Sequence, residues 1–391
     1  MKITKELIQD LNRKYKAEII SHRHHLHAHP ELSFEEYNTS LYIQKVLTEK
    51  SITHSSGWAK TGVVATIGNG SRVVGLRADI DALPIQESNE VSYSSKNEGV
   101  MHACGHDVHT ASLLGVAMIL KEIEEHLPIT LKLIFQPGEE KLPGGASILL
   151  EEGVLKDPDV EVIVGQHVHP QLEVGKVGIC PGPFMASADE LHVTVTGKGG
   201  HAAMPESCID TVMVSAEIIS ALHKITGRFA PKEATLLTIG KINSTGGATN
   251  IIPDEVKMYG TFRAFNEEWR EKAHKIIKET AEGIASAYGA HCEMNILKGY
   301  PYLHNNETLA HQVKSEIQEY MGEENTVDLP MRMTGEDFAF YSQIIPACFY
   351  RIGTSNASKG ISSGVHTSTF DVDEEVFAHS SGLMSWIALH V

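Results

Sequence analysis

Residues 101–110, MHACGHDVHT, put one thiol and three imidazoles into ten positions. A thiolate and a neutral imidazole are both good ligands for a borderline transition-metal ion. A cysteine beside a histidine is also a candidate nucleophile with its base. A histidine-rich loop ahead of a helix is a third reading, and these ten residues alone leave all three open. Cys104 and His106 are two apart. On a helix that spacing splays the side chains, whereas an extended backbone turns both to one side.

Other segments end an apolar run or tight turn with groups of the same kind: RAD at 77–79, PGEE at 137–140, GQHVHP at 165–170, and HTSTFDVDEE from His366. Glu139 and Glu140 follow Pro137 and Gly138. Adjacent carboxylates in extended backbone face different ways, so one can bind metal while the other serves as general base for an activated water. The competing reading is an ordinary acidic surface turn. His167 ends VEVIVGQH, where it either reaches the same cleft or sits hydrogen-bonded in the core, and His366 carries the same ambiguity. Asp79 is placed to orient an imidazole ligand, and Asp81 reads as a helix or turn cap. The joint occurrence of these segments is far more telling than any one of them.

Two rivals are weaker. A nucleophile pair of Cys104 with His106 or His102 leaves the glutamate pair and His167 without a task. GKGGHA at 197–202 matches a dinucleotide fingerprint, G-x-G-x-x-A. The strand ahead of it alternates, however, Pro205 intrudes, and the next strand ends at Lys241 and Asn243 where a ribose-binding acid is needed.

The elements that must position these groups follow from hydrophobic periodicity. The first 27 residues read as an amphipathic helix, followed by strands GVVATIG and RVVGLRAD. HDVHTASLLGVAMILKEIEEHL has a helical period at Leu113, Leu114, Ala117, Leu120 and Ile123, with Asp107 as its N-cap. ITLKLIFQP and VEVIVGQHVHP are apolar strands stopped by proline. Near-continuous apolar strands alternating with helices predict an α/β sandwich whose sheet is covered on both faces. Beyond Pro183 the strands alternate, as in ELHVTVTGK and EVKMYGTFRAF, and two long helical stretches accompany them. This predicts an inserted α+β domain. The organisation expected is a first domain of 1–182 and 299–391 interrupted by 183–298.

A chain of 391 residues with 42% hydrophobic and 21% charged residues suits a globular protein of about two domains. A formal charge of −17 disfavours nucleic acid or an anionic membrane as partner. Five scattered cysteines form no disulfide framework, and neither a signal peptide nor a membrane span is evident. A cytoplasmic location is expected.

Together HAHPELSFEE, RADIDALPIQE, MHACGHDVHT, FQPGEE, GQHVHP, GKGGHAAMP, GGATNIIPDE, GTFRAF, TGEDFAFY and HTSTFDVDE resemble the aminoacylase-like amidohydrolases. That family holds hippurate hydrolases, auxin-conjugate hydrolases and N-acetyldiaminopimelate deacetylases, within the carboxypeptidase-G-type metallopeptidases. The resemblance runs from about His27 to Glu374. It implies a catalytic α/β domain with two divalent metal ions, manganese or zinc before cobalt or nickel, and an inserted lid and dimerisation domain. By motif the metal ligands would be Cys104, His106, Glu140, His167 and His366. Cys104 stands where many wider relatives have a bridging aspartate. Arg77 stands where they have a metal-binding histidine.

Glu139 would be the general base, Asp79 a support for the metal shell, and His201 an oxyanion donor. Asn250 and Arg263 would hold the substrate's α-carboxylate. His102 and His109 would be supporting residues, His27 and His29 would line the cleft, and His24 and His25 would lie on the surface. The activity implied is hydrolysis of N-acyl amino acids by a homodimer, with a tetramer as the other assembly. N-acetyldiaminopimelate deacetylation or dipeptidase-like cleavage is the alternative. A metal-binding dimer without catalysis is disfavoured because Glu139 and all five ligands are present.

Overall fold

The computed structural model describes residues 2–228 and 234–391. Two compact units form: Met1–Gly182 with His304–Pro330 and Asp337–Val391, and Pro183–Leu303 with Met331–Glu336.

Apolar runs build the main sheet of the first unit. Arg72–Asp79 is buried from its second residue onward, Ile129–Gln136 throughout, and Ala347–Ser355 up to its last residue. Burial without alternation means that both faces are covered. Eight strands lie in the order Thr53–Trp58, Gly62–Ile67, Ile129–Gln136, Arg72–Asp79, Val162–Glu173, Ala347–Ser355, Val177–Ile179, Thr326–Asp328. The four central strands are parallel, with Asp79 opposite Gln136, Arg77 opposite Gly165, and His167 opposite Arg351. Their carboxyl ends therefore emerge together, which is where ligands bind in parallel α/β sheets.

Helices Lys5–Ala28, His106–Glu122 and Ser380–His390 pack on one another through a core that includes Ile19, Leu113, Val116, Leu383 and Ile387. His106–Glu122 is buried from His106 through Leu120. Its N-cap position is held by Gly105 in a left-handed conformation, not by Asp107 as the sequence suggests. Asp107 lies one residue inside the helix and pairs with Arg23 and His27 instead. Between the first helix and the GVVATIG strand lie helix Tyr37–Glu49 and edge strand Thr53–Trp58, which the periodicity reading passes over. The strand is largely exposed and polar, so it carries no apolar signal.

The second unit is α+β. Its antiparallel sheet runs Leu236–Ser244, Glu255–Arg263, Asp189–Thr196, His291–Lys298. Asp189–Thr196 buries every second residue, as a sheet covered on one face requires. Helices Thr211–Arg228 and Glu267–Ala287 supply that cover, sharing a core with Val193, Ile218, Leu222, Met258 and Ile277. No helix among the described residues is long and apolar enough to cross a membrane.

Candidate metal centre

The loop ahead of helix His106–Glu122 brings Cys104 and His106 together. Gly105, at φ +84, turns the backbone between them, and a Cβ there would sit 2.6 Å from Val168 Cγ2. A glycine reversal, not the extended backbone expected, sets the two donors toward one point.

Among the donor trios of the first unit, each within 4.8 Å, two share Cys104: Cys104, His106 and His167, and Cys104, Glu140 and His366. Cys104 belongs to both. His167 donates from Nδ1 to the Val168 carbonyl at 2.8 Å, and its Nε2 lies 3.6 Å from Cys104 Sγ. Two ligands on one tetrahedral ion, with bonds of about 2.0 and 2.3 Å, stand roughly 3.5 Å apart. His106 turns Nδ1 to Asp81 Oδ1 at 3.2 Å. Its Nε2 is buried without a hydrogen bond among the described residues. Such a nitrogen is costly unless something coordinates it. His366 Nε2 lies 3.1 Å from Glu140 Oε1. Sulfur, imidazole and carboxylate donors around a shared thiol thus fit a pair of borderline divalent cations.

The electrostatics agree. Burial, then Arg351, holds His167 well below the usual imidazole range, so its ring is neutral. Burial pushes the Cys104 thiol up, and Glu140 adds to this; a nearby cation reverses such a shift. Cys104 and then Glu140 push His366 up to about 10. Positive charge is what this pocket favours. His366 itself has φ +62, a strained backbone for a non-glycine residue, and its N–H is anchored on the Ala103 carbonyl at 2.7 Å.

Behind the donors lie three aspartates with separate tasks. Asp79 receives Arg77 Nη1 at 2.7 Å and His109 Nδ1 at 2.6 Å. His109 Nε2 accepts from Val168 N at 2.9 Å, so both of its nitrogens are occupied and it offers no lone pair to an ion. Asp81 is no mere cap. Besides His106 it accepts the Glu140 N–H at 3.0 Å and the Ser33 hydroxyl at 2.6 Å, so one carboxylate orients two of the donors. Asp337 accepts Arg77 Nη2 at 2.7 Å, Gln136 Nε2 at 2.8 Å and Ala146 N at 3.0 Å. In the sequence Asp81 reads only as a cap and Asp337 does not stand out, because their partners are an imidazole, a guanidinium and backbone amides distant in sequence.

Glu139 is buried, and a carboxylate oxygen of it lies within 4.8 Å of donor atoms of His106 and Glu140. His27 is buried against Asp107 and Glu87 and does not line an open cleft. His102 is buried, His29 half-buried, His24 half-buried and His25 exposed.

In the second unit His201 is exposed on a two-residue strand opposite Ile251, and Ala202 N donates to the Asn250 carbonyl at 3.0 Å. His201 and Asn250 are thereby neighbours. Ala203 N–H donates to His201 Nδ1 at 3.1 Å, which leaves the ring proton of the neutral imidazole on Nε2. Arg263 ends strand Glu255–Arg263, half-buried, and burial lowers its pKa.

The profile of peptidase family M20/M25/M40 matches residues 75–386. The chain belongs to this family. Among M20 relatives, an N-acetylcysteine deacetylase of Bacillus subtilis (strain 168) is 38% identical over 97% of this chain and 98% of its own length. The IAA-amino acid hydrolase ILR1-like 4 of Arabidopsis thaliana is 37% identical over 94% of this chain and 84% of its own. The crystal structure of the Bacillus subtilis YXEP protein, a dinuclear metal binding peptidase from the M20 family, superposes with a TM-score of 0.83 at 36% identity. It covers 96% of this chain and 98% of that one. The M20 fold of a catalytic domain with a second, smaller domain is the one this chain adopts.

Proposed function

We propose that this M20 chain is a dinuclear metal-dependent amidohydrolase that cleaves the amide of N-acyl amino acids, giving a carboxylate and a free amino acid. The observation that carries the reading is the sharing of Cys104 by two donor trios, with Glu139 beside them. Two divalent cations held by Cys104, His106, Glu140, His167 and His366 would supply Lewis-acid polarisation of the acyl carbonyl and a lower pKa for water. Manganese or zinc is the first choice, then cobalt or nickel: the carboxylates suit the harder manganese, and the thiolate shifts preference toward zinc, cobalt or nickel.

Glu139 takes the proton of the attacking water and delivers it to the departing amine. Asp81 and Asp79 keep His106 and His109 fixed before substrate arrives. The proton on His201 Nε2 makes that ring a donor for a developing oxyanion. Asn250 and Arg263 hold the α-carboxylate, the guanidinium as a fork. Similarity to a deacetylase and an amino acid conjugate hydrolase supports the substrate class.

Segment 183–298 serves as lid and dimerisation domain of a homodimer. Among the described residues its outer strand Leu236–Ser244 pairs along one edge only, and it exposes Leu236 and Ile242, an edge that a second copy would cover. A thiol ligand such as Cys104 must stay reduced, which supports the cytoplasm.

Chelation should abolish turnover of an acyl-amino-acid panel, and Mn²⁺, Co²⁺ or Zn²⁺ should restore it. Glu139→Gln should retain both ions and lose about 10²- to 10⁴-fold in kcat. Undiminished hydrolysis by metal-free protein, or a near-normal rate in Glu139→Gln, would overturn the reading.

A further inference from the structure

The turn that carries Glu139 is gripped from outside by two buried carboxylates. On one side Glu140 N donates to Asp81 Oδ2 at 3.0 Å. On the other, Gly138 N donates to Glu36 Oε1 at 2.9 Å. The same oxygen accepts Phe34 N at 2.8 Å, and Glu36 Oε2 accepts the Thr61 hydroxyl at 2.6 Å. Glu36 is fully buried and about a hundred positions from the turn it holds.

Packing reinforces the grip. Gly138 has φ +66, and a Cβ there would meet Phe34 Cζ at 2.4 Å, so the aromatic ring lies directly on its Cα. Phe34 itself has φ +66. A bulky residue held there is strained and persists only where its surroundings fix it. Glu36 supplies part of that fixation through the Phe34 amide. Ser33, one residue earlier, donates to Asp81. Segment 33–36 therefore touches both carboxylates of the grip.

We propose that Glu36 is a positioning residue for the general base: it holds the Gly138 amide so that, with Asp81 on the Glu140 amide, the backbone on both sides of Glu139 is fixed. This inference rests on Glu139 being the base. Keeping a carboxylate here is costly, since burial and then Asp81 push Glu36 up to about 7. Three donors converging on its two oxygens are what the site gains. Misplacing a reacting group by about 1 Å can lower a rate by about 10²-fold, and nothing in this role involves contact with substrate.

Reach and charge can be separated. Glu36→Gln keeps the length and an acceptor oxygen for Gly138 N. Glu36→Asp keeps the charge but retracts the carboxylate by about 1.5 Å. We expect kcat within about threefold of wild type for Glu36→Gln and at least tenfold lower for Glu36→Asp. KM and the visible spectrum of the Co²⁺-loaded enzyme should stay unchanged in both. Amide exchange across 138–140 in the metal-free protein should rise in Glu36→Asp only. Phe34→Ala, which releases the ring but leaves the carboxylate, is a second arm with the same expected split: lower kcat, unchanged KM and spectrum.

A normal kcat in Glu36→Asp would overturn the proposal, whatever Phe34→Ala does. So would a larger loss in Glu36→Gln than in Glu36→Asp, or a rate loss that follows loss of metal. Glu139→Gln, run alongside, separates the two ideas: if it stays active the general base is misassigned, whereas an inactive Glu139→Gln beside a normal Glu36→Asp refutes the positioning role alone.

Discussion

Arg77 lies under the centre at 1% exposure and gives Nη1 to Asp79, Nη2 to Asp337 and Nε to Gln136 Oε1 at 2.9 Å. Replacing it with methionine keeps the bulk and removes the charge. Two carboxylates, both wholly buried, then lose their counter-charge. Breaking one side of a buried pair costs about 3–5 kcal/mol. Residual hydrogen bonds put Arg77→Met at the lower end, because Asp79 keeps His109 and Asp337 keeps Gln136 and Ala146 N. The expected loss is about 3 kcal/mol.

Urea unfolding of the metal-free protein measures it. In a Trp269→Phe background the remaining tryptophans, Trp58 and Trp386, both report on the first unit. The midpoint should fall with the slope unchanged. Adding Asp337→Asn to Arg77→Met should recover about 1–2 kcal/mol, since one of the stranded charges is gone. A loss under about 1 kcal/mol, or strict additivity of the two changes, would refute the view that this guanidinium neutralises the floor of the site.

Asp81→Asn should weaken metal binding about 10- to 100-fold, read by competition with a chelator, because it unfixes the His106 ring and the Glu140 amide together. In the second unit, burial favours the neutral acid at Asp189, but hydrogen bonds from Arg270 and His274 outweigh it and bring its pKa down to about 2. A depressed carboxylate contributes stability above its unfolded pKa and loses it as pH falls through the folded one. Asp189→Asn should therefore cost at least about 2 kcal/mol at pH 7, and the gap to wild type should close between about pH 4 and pH 2, followed by thermal unfolding. Gly138→Ala should lower kcat by at least about tenfold in steady-state assays, since the new methyl must displace Phe34 from a turn that already needs positive φ.

Much of the candidate centre was legible in the sequence because residue types that can bind metal are few, and parallel strands deliver their ends to one place. His106, Glu140 and His366 follow glycine turns, Cys104 precedes one, and His167 lies in an apolar strand that runs on past Pro170 to Glu173; the structure brings their donor atoms near one another. The supporting residues were harder. Asp79 and Asp81 are two apart, so pattern alone cannot say which of them faces His106. Asp81 does so at closer range while Asp79 turns to Arg77 and His109. Glu36 was out of reach because its partner at the site is a backbone amide, which every non-proline residue possesses. Asp107 looked like a helix cap, yet the left-handed glycine before His106 occupies that place. Helix Tyr37–Glu49 buries Ile43, Val46 and Leu47, but its polar residues Asn38, Thr39, Ser40, Gln44 and Lys45 dilute the helical period.

Strand Ala347–Ser355 sits inside the main sheet, beside Val162–Glu173, although it belongs to the last tenth or so of the chain. During synthesis the growing polypeptide therefore waits with an unpaired apolar edge until this late piece leaves the ribosome. Domains tend to fold as they emerge, and most of the second unit is complete well before then. That interval is when the unfinished sheet is most exposed to aggregation and to capture by chaperones. Truncations near the carboxyl terminus should accordingly be far more damaging than their length suggests.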